Sequence, residues 1–414
     1  MRLRATTVFY GLEFFLSMPT WVVMAVFLVR DLHLSPLQLV LMGTAMEGMV
    51  FVFQVPTGAL ADLYSRRLSQ VVGYIGMGVA WMAVGFVSSA WAAIALWAAW
   101  GLSYTLTSGA YEAWIADEVG AENVGALFLR GQRIGYGGAI LGLGLQVGVG
   151  VVSLRAGVIV GGAVTMLCGL ACIFVMPETA FRRHVSEGRR RMAEVLGRAA
   201  TGVRFARTAP LVGLLLAVAV FTGMSSEAFD RLKEAHFLRD VGLPAAGHLS
   251  PVVWFGIFWL VAMAFGFLAL GRLIPLVERG GVEAVNRFLL GFTFVQLAAM
   301  VVFALSRTTW PAIAGLLGVF FARDLTAPLY TTWLNAQISD SSVRATVLSL
   351  SGQANAIGQA AGGPVLGAVG NVWGIRTALA AGAVALAPAG ALYARAARRH
   401  GAAPVVSLGE ASQP

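Results

Sequence analysis

Twelve long apolar stretches, separated by short polar breaks marked by Gly or Pro, run through this sequence. A stretch of about 20 apolar residues is long enough to cross the hydrocarbon core of a bilayer as an α-helix. The pattern predicts membrane helices at 5–29, 36–58, 69–89, 91–117, 127–151, 155–176, 209–230, 250–271, 287–305, 311–336, 345–369 and 374–395. The chain is therefore predicted to be an all-α polytopic membrane protein.

Composition agrees with this prediction. Apolar residues fill 58% of the 414 positions and charged residues 12%, whereas soluble domains average about 45–50% and about 25%. Twelve helices of about 20 residues need about 240 apolar-rich positions, which is close to the whole apolar content of the chain. The sequence leaves no room for a large water-soluble domain.

The distribution of Lys and Arg predicts the orientation of the chain. An even number of spans places both termini on one side, and the first span has no small-residue cleavage site, so it is expected to be retained. Sorted by alternate loops, 19 Lys and Arg residues lie on the side of the termini and 7 on the other, with Arg130, Arg133 and Arg323 near or inside spans. Positive charge collects on the cytoplasmic side. We therefore expect a multi-pass protein of the inner (plasma) membrane with cytoplasmic termini, whose net charge of +9 reflects topology and not a nucleic-acid partner.

The longest polar break divides the chain into two similar parts. We predict an N-terminal six-helix bundle at 1–180, a basic cytoplasmic linker at 181–208, a C-terminal six-helix bundle at 209–400 and a flexible tail at 401–414. The linker either rests on anionic lipid or forms a regulatory binding site. Residues 129–132 (LRGQ) resemble residues 350–353 (LSGQ), which relates the fifth span to the eleventh, as two similar halves would require.

A charged motif lies between the second and third predicted helices. The sequence GALADLYSRR at 58–67 resembles the loop signature of the major facilitator superfamily, although Leu63 replaces a basic residue and Ser65 replaces a glycine. The resemblance implies a fold of two pseudo-symmetric six-helix halves. It also implies a conformational latch that holds the halves together on the cytoplasmic side, formed by Gly58, Asp62, Arg66 and Arg67. The alternative is an ordinary solvated cluster of loop charges.

Two further segments are similar to the same family. The sequence MPET at 176–179 resembles the ending of the sixth helix, and the Gly- and Pro-rich segment from Gly358 to Gly367 resembles a motif of the antiporter branches. The chain as a whole looks like bacterial members grouped with drug exporters. Thr105 stands where the classical drug:proton antiporters carry an arginine, so another residue must relay any coupled proton.

Carboxylates inside the bilayer are costly unless they are paired or face water. At about 1.5 Å per residue, Glu13 and Glu47 lie near mid-depth, and no basic residue at matching depth is evident. An unpaired carboxylate can take up and release a proton, so Glu13, Glu47 and Glu112 are candidate proton-coupling groups. We expect Glu112 to pair with Arg133, as a structural clamp or as part of the coupling.

Further charges fall in the second half. Arg323 and Asp324 point about 100° apart on one helix, so neither is the other's main partner. Asp324, or an acidic group on the first or fourth helix, is a candidate partner for Arg133 and Arg323. Glu227 and Asp230 are expected at the outer end of the seventh helix.

Aromatic and amide side chains within the spans are candidates for the wall of a substrate cavity. Amides can donate and accept hydrogen bonds, whereas aromatic residues in membrane helices also pack or face lipid. The candidates are Tyr10, Phe14, Trp114, Asn335, Gln353 and Asn355.

These features favour a secondary active transporter that works as a monomer and exports an amphipathic or cationic small molecule in exchange for protons. Uptake or export of a specific metabolite, and a non-transporting receptor on the same fold, are the alternatives. The sequence contains none of the common hydrolase, metalloprotease or phosphate-binding motifs, so we expect no enzyme activity, cofactor or metal. Cys168 and Cys172 are expected to be buried thiols.

Overall fold

The structure is a computed structural model that describes residues 4–120, 124–181, 210–245, 248–336 and 341–400. The predicted tail and all but the first residue of the predicted linker lie outside these ranges. Thirteen α-helices and one π-helix make up most of the described chain.

The N-terminal half holds eight helices, some of which are pieces of one span. They are α1 (Ala5–Leu16), α2 (Trp21–Arg30), α3 (Pro36–Leu63), α4 (Arg66–Val84), α5 (Ala90–Thr107), α6 (Ala110–Val119), α7 (Val124–Val152) and α8 (Leu154–Val175).

The C-terminal half holds five longer helices. They are α9 (Pro210–His236), which continues as the π-helix Phe237–Val241, then α10 (Pro251–Leu305), α11 (Thr309–Ala336), α12 (Ser341–Trp373) and α13 (Ile375–His400).

These helices form twelve spans in two six-span halves. The first span is α1 with α2, the fourth is α5 with α6, and α10 contains the eighth and ninth spans. Nine of the twelve meet the length and hydropathy expected of a membrane-crossing helix within the described residues. The other three are α4, α5 with α6, and α12, which contain more polar, small or Trp residues. The predicted order of spans is thus present.

Two helix interruptions depart from the predicted pattern, and a third falls in the predicted connection between the eighth and ninth spans. The first span breaks at Pro19, which lacks the backbone N–H that a continuous helix needs, and Thr20 restarts the helix by accepting a hydrogen bond from the N–H of Val22 (3.3 Å). The fourth span breaks at Gly109, where φ is 78°. Gly281, with φ 57° and ψ −150°, reverses the chain inside α10.

The seventh span is longer than predicted. We expected it to end at residue 230, whereas the helical segment continues to Val241. Its charged residues find partners inside the bundle: Lys233 lies 3.2 Å from one carboxylate oxygen of Glu234, and the ring of His236 lies 3.0 Å from the carbonyl oxygen of Phe303. The other carboxylate oxygen of Glu234 is buried with no hydrogen-bond partner among the described residues. The prediction that Glu227 and Asp230 lie at the outer end of this span is therefore wrong.

The halves meet through two equivalent pairs of spans. The second span (α3) packs on the eleventh (α12), and the fifth (α7) packs on the eighth, the first part of α10. Spans two and eight hold equivalent positions in the two halves, as do spans five and eleven. The interface is therefore pseudo-symmetric, as the internal repeat predicts.

Candidate functional site

The two halves are joined at the end of the bundle away from the chain termini. The backbone N–H of Leu37 donates to the Asn371 side-chain oxygen (3.0 Å), and Arg239 donates to the carbonyl oxygen of Leu34 (2.7 Å). Leu34 and Leu37 flank the start of α3, while Asn371 lies near the end of α12 and Arg239 in the π-helix. This end of the molecule is closed.

Glycines bring the helix backbones together at the closed end. A Cβ added to Gly367 would lie 3.1 Å from the Cα of Leu37, and one added to Gly370 would lie 2.8 Å from the Cβ of Pro36. Small residues let membrane helices approach closely. The Gly-rich motif of the eleventh span therefore packs α12 against α3.

The other end of the bundle is open. Phe51, Val52 and Phe53 on α3 are 54%, 59% and 36% exposed, and Gln54 is exposed as well. Four consecutive helical residues point around most of the circumference, so this part of α3 is uncovered on nearly every side. Leu129, near the start of α7, is 67% exposed. The space between the halves therefore opens toward the end that carries the termini.

A buried ion pair lies where the halves touch. Glu227 and Arg231 on α9 are 3.1 Å apart, and their side chains are only 2% and 12% exposed. The Arg231 guanidinium lies 5.2 Å from the ring centroid of Trp21 on α2, so one cation contacts both halves. A Cβ added to Gly43 of α3 would collide with both members of the pair.

Glu47 lies one helical turn from Gly43 on α3. Among the described residues it forms no ion pair within 4.0 Å, although the Arg231 charge acts on it. Sequence reasoning expected no cation at the depth of Glu47, and this expectation is wrong because Arg231 of the seventh span reaches the same interface.

A second ion pair borders a large cavity between the halves. Arg323 on α11 donates to both carboxylate oxygens of Asp230 on α9, at 2.6 and 2.9 Å. The cavity has a volume of about 760 Å³ and is lined by Tyr136 of α7 on one side and by residues of α9, α10 and α11, including Asp324, on the other. As predicted, Asp324 is not the main partner of Arg323, whereas the predicted acidic partner on the first or fourth helix is wrong because Asp230 of the seventh span binds Arg323.

A cavity of about 370 Å³ lies within the N-terminal half, beside the breaks in the first and fourth spans. Glu13 and Glu112 both line it. Glu13 accepts a hydrogen bond from the hydroxyl of Tyr111 (3.0 Å), and Glu112 accepts one from the backbone N–H of Gly109 (3.0 Å). Two carboxylates thus face one cavity, and each is held by an uncharged donor.

The C-terminal half contains a cavity of about 350 Å³ with a different lining. Tyr330 and Ser351 share a hydrogen bond of 2.7 Å, and Asn355 donates to the carbonyl oxygen of Ala219 (3.3 Å). Gln296 also lines the cavity, and Arg323 is on its wall. Apart from that arginine, the polar groups on this wall are uncharged.

The family model described as "Major Facilitator Superfamily" matches residues 6–363 of the sequence. The chain belongs to this superfamily. It is a multi-pass membrane protein of the transporter type with the all-α, two-half fold that the sequence predicts. The uncharacterized MFS-type transporter YxaM of Bacillus subtilis (strain 168) is 22% identical over 372 residues, which cover 88% of each chain.

Solved structures of other transporters have the same fold as this chain at low sequence identity. The nucleoside transporter NupG superimposes with a TM-score of 0.73 at 12% identity, over 95% of this chain and 99% of that one. A bacterial homologue of the human lysosomal transporter Spinster, in an inward-facing and unoccupied conformation, gives 0.71 at 15% identity, over 95% and 96%.

The predicted pair of Glu112 and Arg133 is absent. Glu112, third residue of α6, instead caps its own helix at Gly109, and Arg133 is exposed on α7. No ion pair within 4.0 Å joins the two in the part of the chain that the structure describes. The prediction assumed that the fourth span was one straight helix, whereas the break at Gly109 changes the direction in which Glu112 points.

None of the three predicted aromatic residues is on the wall of the cavities described above. Trp114 is 1% exposed and its indole N–H donates to the carbonyl oxygen of Pro177 (2.6 Å), so it belongs to the core and its predicted role in the cavity wall is wrong. Tyr10 is half-buried and packs edge-on against Phe9. The backbone of Phe14 contacts Gly138 of α7.

The predicted amides lie on α11 and α12. Asn355 is on the wall of the C-terminal cavity and also accepts a hydrogen bond from Gln359 (2.7 Å). Gln353 is half-buried on α12. The side-chain oxygen of Asn335 is buried with no hydrogen-bond partner among the described residues.

The residues of the predicted latch are tied to the N-terminal half in this conformation. Arg66 lies 3.3 Å from Asp62, forms an ion pair with Asp117 and donates to the carbonyl oxygen of Ala113 (2.7 Å). The Arg67 side chain donates to the carbonyl oxygen of Ile173.

Ser65, one of the two departures from the signature, has a local role in this structure. It accepts a hydrogen bond from the N–H of Leu68 (2.9 Å) as the N-cap of α4, and donates to Glu178 (2.6 Å). A Cβ on Gly58 would meet nothing within 4 Å, so no close backbone contact requires a glycine there in this conformer.

Sequence reasoning missed the interface role of Arg231 and the aromatic residues of the N-terminal cavity. The spacing of Glu227 and Arg231 by four residues, which places them on one helix face, was a usable signal for the ion pair. Tyr74, Trp81, Trp100 and Tyr104 gave no such signal, because aromatic residues are common in membrane helices.

Proposed function

We propose that this protein is a secondary active transporter that works by alternating access and exports amphipathic or cationic small molecules in exchange for protons. The observation that most supports this proposal is that Glu13 and Glu112 face a cavity inside a membrane bundle. Each carboxylate accepts a hydrogen bond from an uncharged donor, which is the Tyr111 hydroxyl for Glu13 and the backbone N–H of Gly109 for Glu112. Such carboxylates can accept either a proton or a cationic solute. Because one site cannot hold both at once, binding of one releases the other.

The shape of the molecule supports this cycle. The halves are closed at one end and open at the other, as alternating access requires of either end state. With cytoplasmic termini, as the Lys and Arg distribution favours, the conformer described is open to the cytoplasm and admits a solute from that side. Residues 1–180 and 209–400 then rock against each other, and Asp62, Arg66 and Arg67 hold the cytoplasmic end when it closes.

Glu47 and the Glu227–Arg231 pair give the proton an entry point. They lie at the surface that must separate when the far end opens. Separation hydrates all three groups, so Glu47 or Glu227 can take up a proton from the outer compartment. Return to the conformer described requires that Arg231 pair again with a carboxylate on that surface.

The test is transport by purified protein in liposomes with an acidic lumen. We expect ethidium, an amphipathic cation, to accumulate in the lumen while the pH gradient lasts and to stop when nigericin collapses the gradient. Glu13→Gln and Glu47→Gln should abolish gradient-driven accumulation, whereas Asp31→Asn, an exposed residue that follows α2, should transport like the parent. A pH gradient that moves no amphipathic cation would reject this function.

Transport of a specific polar metabolite is the second candidate. The C-terminal cavity favours it, because Gln296, Tyr330 and Asn355 offer hydrogen bonds to a neutral solute, and because the chain resembles the nucleoside transporter NupG in fold. A thermal-shift screen of cations and neutral metabolites separates the two candidates. Stabilisation by neutral metabolites alone would favour this second function.

A further inference from the structure

The wall of the cavity in the N-terminal half differs in charge from the walls of the two other cavities described above, both of which include Arg323. The cavity is about 370 Å³ in volume, about half the size of the cavity of about 760 Å³ between the halves. It lies where two spans are interrupted, at Pro19 and at Gly109, so the wall contains irregular backbone as well as helix. Ligand sites in membrane transporters commonly lie beside such broken helices.

The cavity carries two carboxylates and no basic side chain on its wall. The hydrogen bonds that Glu13 and Glu112 accept come from the Tyr111 hydroxyl and the Gly109 N–H. No Lys or Arg lies within 4.0 Å of either carboxylate in the described ranges. A pair of carboxylates in low-dielectric surroundings is costly unless a positive charge joins it, and the wall supplies none.

Aromatic rings make up much of the remaining wall. Five aromatic side chains line the cavity, namely Tyr74, Trp81, Trp100, Tyr104 and Tyr111. Trp100 is stacked between Trp97 and Tyr104, with centroids 5.2 and 5.6 Å away and planes 7° apart in both pairs, so both of its faces are covered. Tyr104 is 38% exposed, and the face of its ring that points away from Trp100 is not covered by this stack. The face of an aromatic ring attracts cations, and the attraction is greatest where water is excluded. Carboxylates and ring faces around one cavity are the combination that recognises an ammonium group.

We propose that this cavity binds a compact monovalent organic cation, either a quaternary ammonium or a protonated amine. The inference rests on the proposed export of cations and deepens it, because it names the binding site and the class of solute. Glu13 and Glu112 neutralise the positive charge, while Tyr104 packs against the alkyl groups that surround it. The volume of about 370 Å³ accommodates a compact cation.

The first experiment measures equilibrium binding of radiolabelled tetraethylammonium to the full-length protein purified in detergent. We expect saturable binding that choline displaces. The uncharged isostere of choline, 3,3-dimethylbutan-1-ol, should not displace it. If tetraethylammonium does not bind, or if the alcohol displaces it as well as choline does, the site is not a cation site and the proposal is overturned.

Variants assign the binding to this cavity. The double substitution Glu13→Gln and Glu112→Gln removes both negative charges with little change of shape and should abolish binding. Tyr104→Leu should weaken binding by about tenfold, since a buried cation–π contact is worth that much, whereas Tyr104→Phe, which keeps the ring, should bind like the parent. Tyr104 is 38% exposed, so either change should be tolerated, and the thermal unfolding temperature checks this.

Two results would overturn the assignment of the site. If tetraethylammonium still binds after the double Gln substitution, the cation binds elsewhere. If Tyr104→Leu and Tyr104→Phe bind it equally well, the Tyr104 ring is not part of the site. Failure of the proposed proton-coupled export would give a different combination of results. Gradient-driven ethidium transport without tetraethylammonium binding overturns this site only, whereas tetraethylammonium binding without any gradient-driven transport overturns proton-coupled export only.

Discussion

Gly43 shows how much a single residue decides at the interface between the halves. It lies on α3 directly against the ion pair of Glu227 and Arg231, and a methyl group there would collide with both side chains. Gly48, five residues later on the same helix, has nothing within 4 Å of the position of its missing Cβ. The two glycines therefore form a matched pair.

We predict that Gly43→Ala disfavours the conformer described here, whereas Gly48→Ala does not. Both substitutions gain the same helix propensity, about 1 kcal/mol. Any difference in labelling rate between the two variants therefore comes from the contact with the ion pair. The measurement is reaction of a cysteine introduced for the fully buried Leu34 at the closed end with a water-soluble maleimide. Faster labelling in Gly43→Ala only is expected, and equal rates in the two variants would contradict the packing argument.

Individual charges were the hardest residues to assign from the sequence. The sequence showed that Arg323 and Asp324 needed separate partners, but it placed Asp230 at a helix end because charged residues normally stop an apolar stretch. In the structure Lys233 pairs with Glu234 and the ring of His236 contacts the carbonyl oxygen of Phe303 inside the bundle, so the helix continues and Asp230 comes to the level of Arg323. Which charges are paired depends on contacts between spans, and hydropathy contains no information on these.

At the scale of elements, the interruptions of the first and fourth spans determine the shape of the N-terminal cavity. Hydropathy predicted the fourth span as one stretch at 91–117, because Gly and Ser are tolerated within membrane helices. The break follows from Gly109, whose φ of 78° is a conformation that other residues adopt only at a cost. Glu112 then caps α6, which turns its carboxylate toward the cavity.

We predict that Gly109→Ala destabilises the protein. A non-glycine residue in this conformation costs about 1–2 kcal/mol, so the thermal unfolding temperature in detergent should fall. Gly352→Ala is the control, because Gly352 is helical and a Cβ there meets nothing within 4 Å. An unchanged unfolding temperature in Gly109→Ala would mean that the α5–α6 break is not held by this glycine.

At the scale of the whole molecule, the fold is closed at one end by few and specific contacts. The hydrogen bond of Leu37 with Asn371 and that of Arg239 with Leu34 cross between the halves. They occur together with the close approach of α12 and α3 at Gly367 and Gly370. Loss of these contacts is the step that opening of this end requires.

We predict that the two ends change their separation in opposite directions. Spin labels at Leu129→Cys and Ile274→Cys report on the open end, and labels at Val152→Cys and Leu249→Cys report on the closed end. All four positions are exposed, whereas Cys168 and Cys172 are buried. Arg239→Met, which removes a bond of the closed end, should lengthen the Val152–Leu249 distance and shorten the Leu129–Ile274 distance. Changes of the same sign at both ends would contradict alternating access.

The fold was predictable from the sequence, and the conformer was not. Long apolar stretches, the loop motif at 58–67 and the internal repeat were sufficient for twelve spans in two halves, because length and charge distribution largely determine membrane topology. The open and closed ends differ in a small number of contacts between Gly-rich helices. A sequence that adopts both states, as proposed above, favours neither strongly, so its pattern does not show which one is present.

The closed end also decides where an electric field acts on this protein. Water that fills the open side carries the potential of that compartment into the bundle, so the transmembrane voltage falls mainly across the closed layer. Glu227 and Arg231 are neutral together, but a proton bound to Glu227 leaves a net positive charge in that layer. One charge moved through about 100 mV is worth about 2.3 kcal/mol. A membrane potential would therefore bias this opening step whenever Glu227 is protonated, which makes the carrier electrically sensitive even for an uncharged cargo.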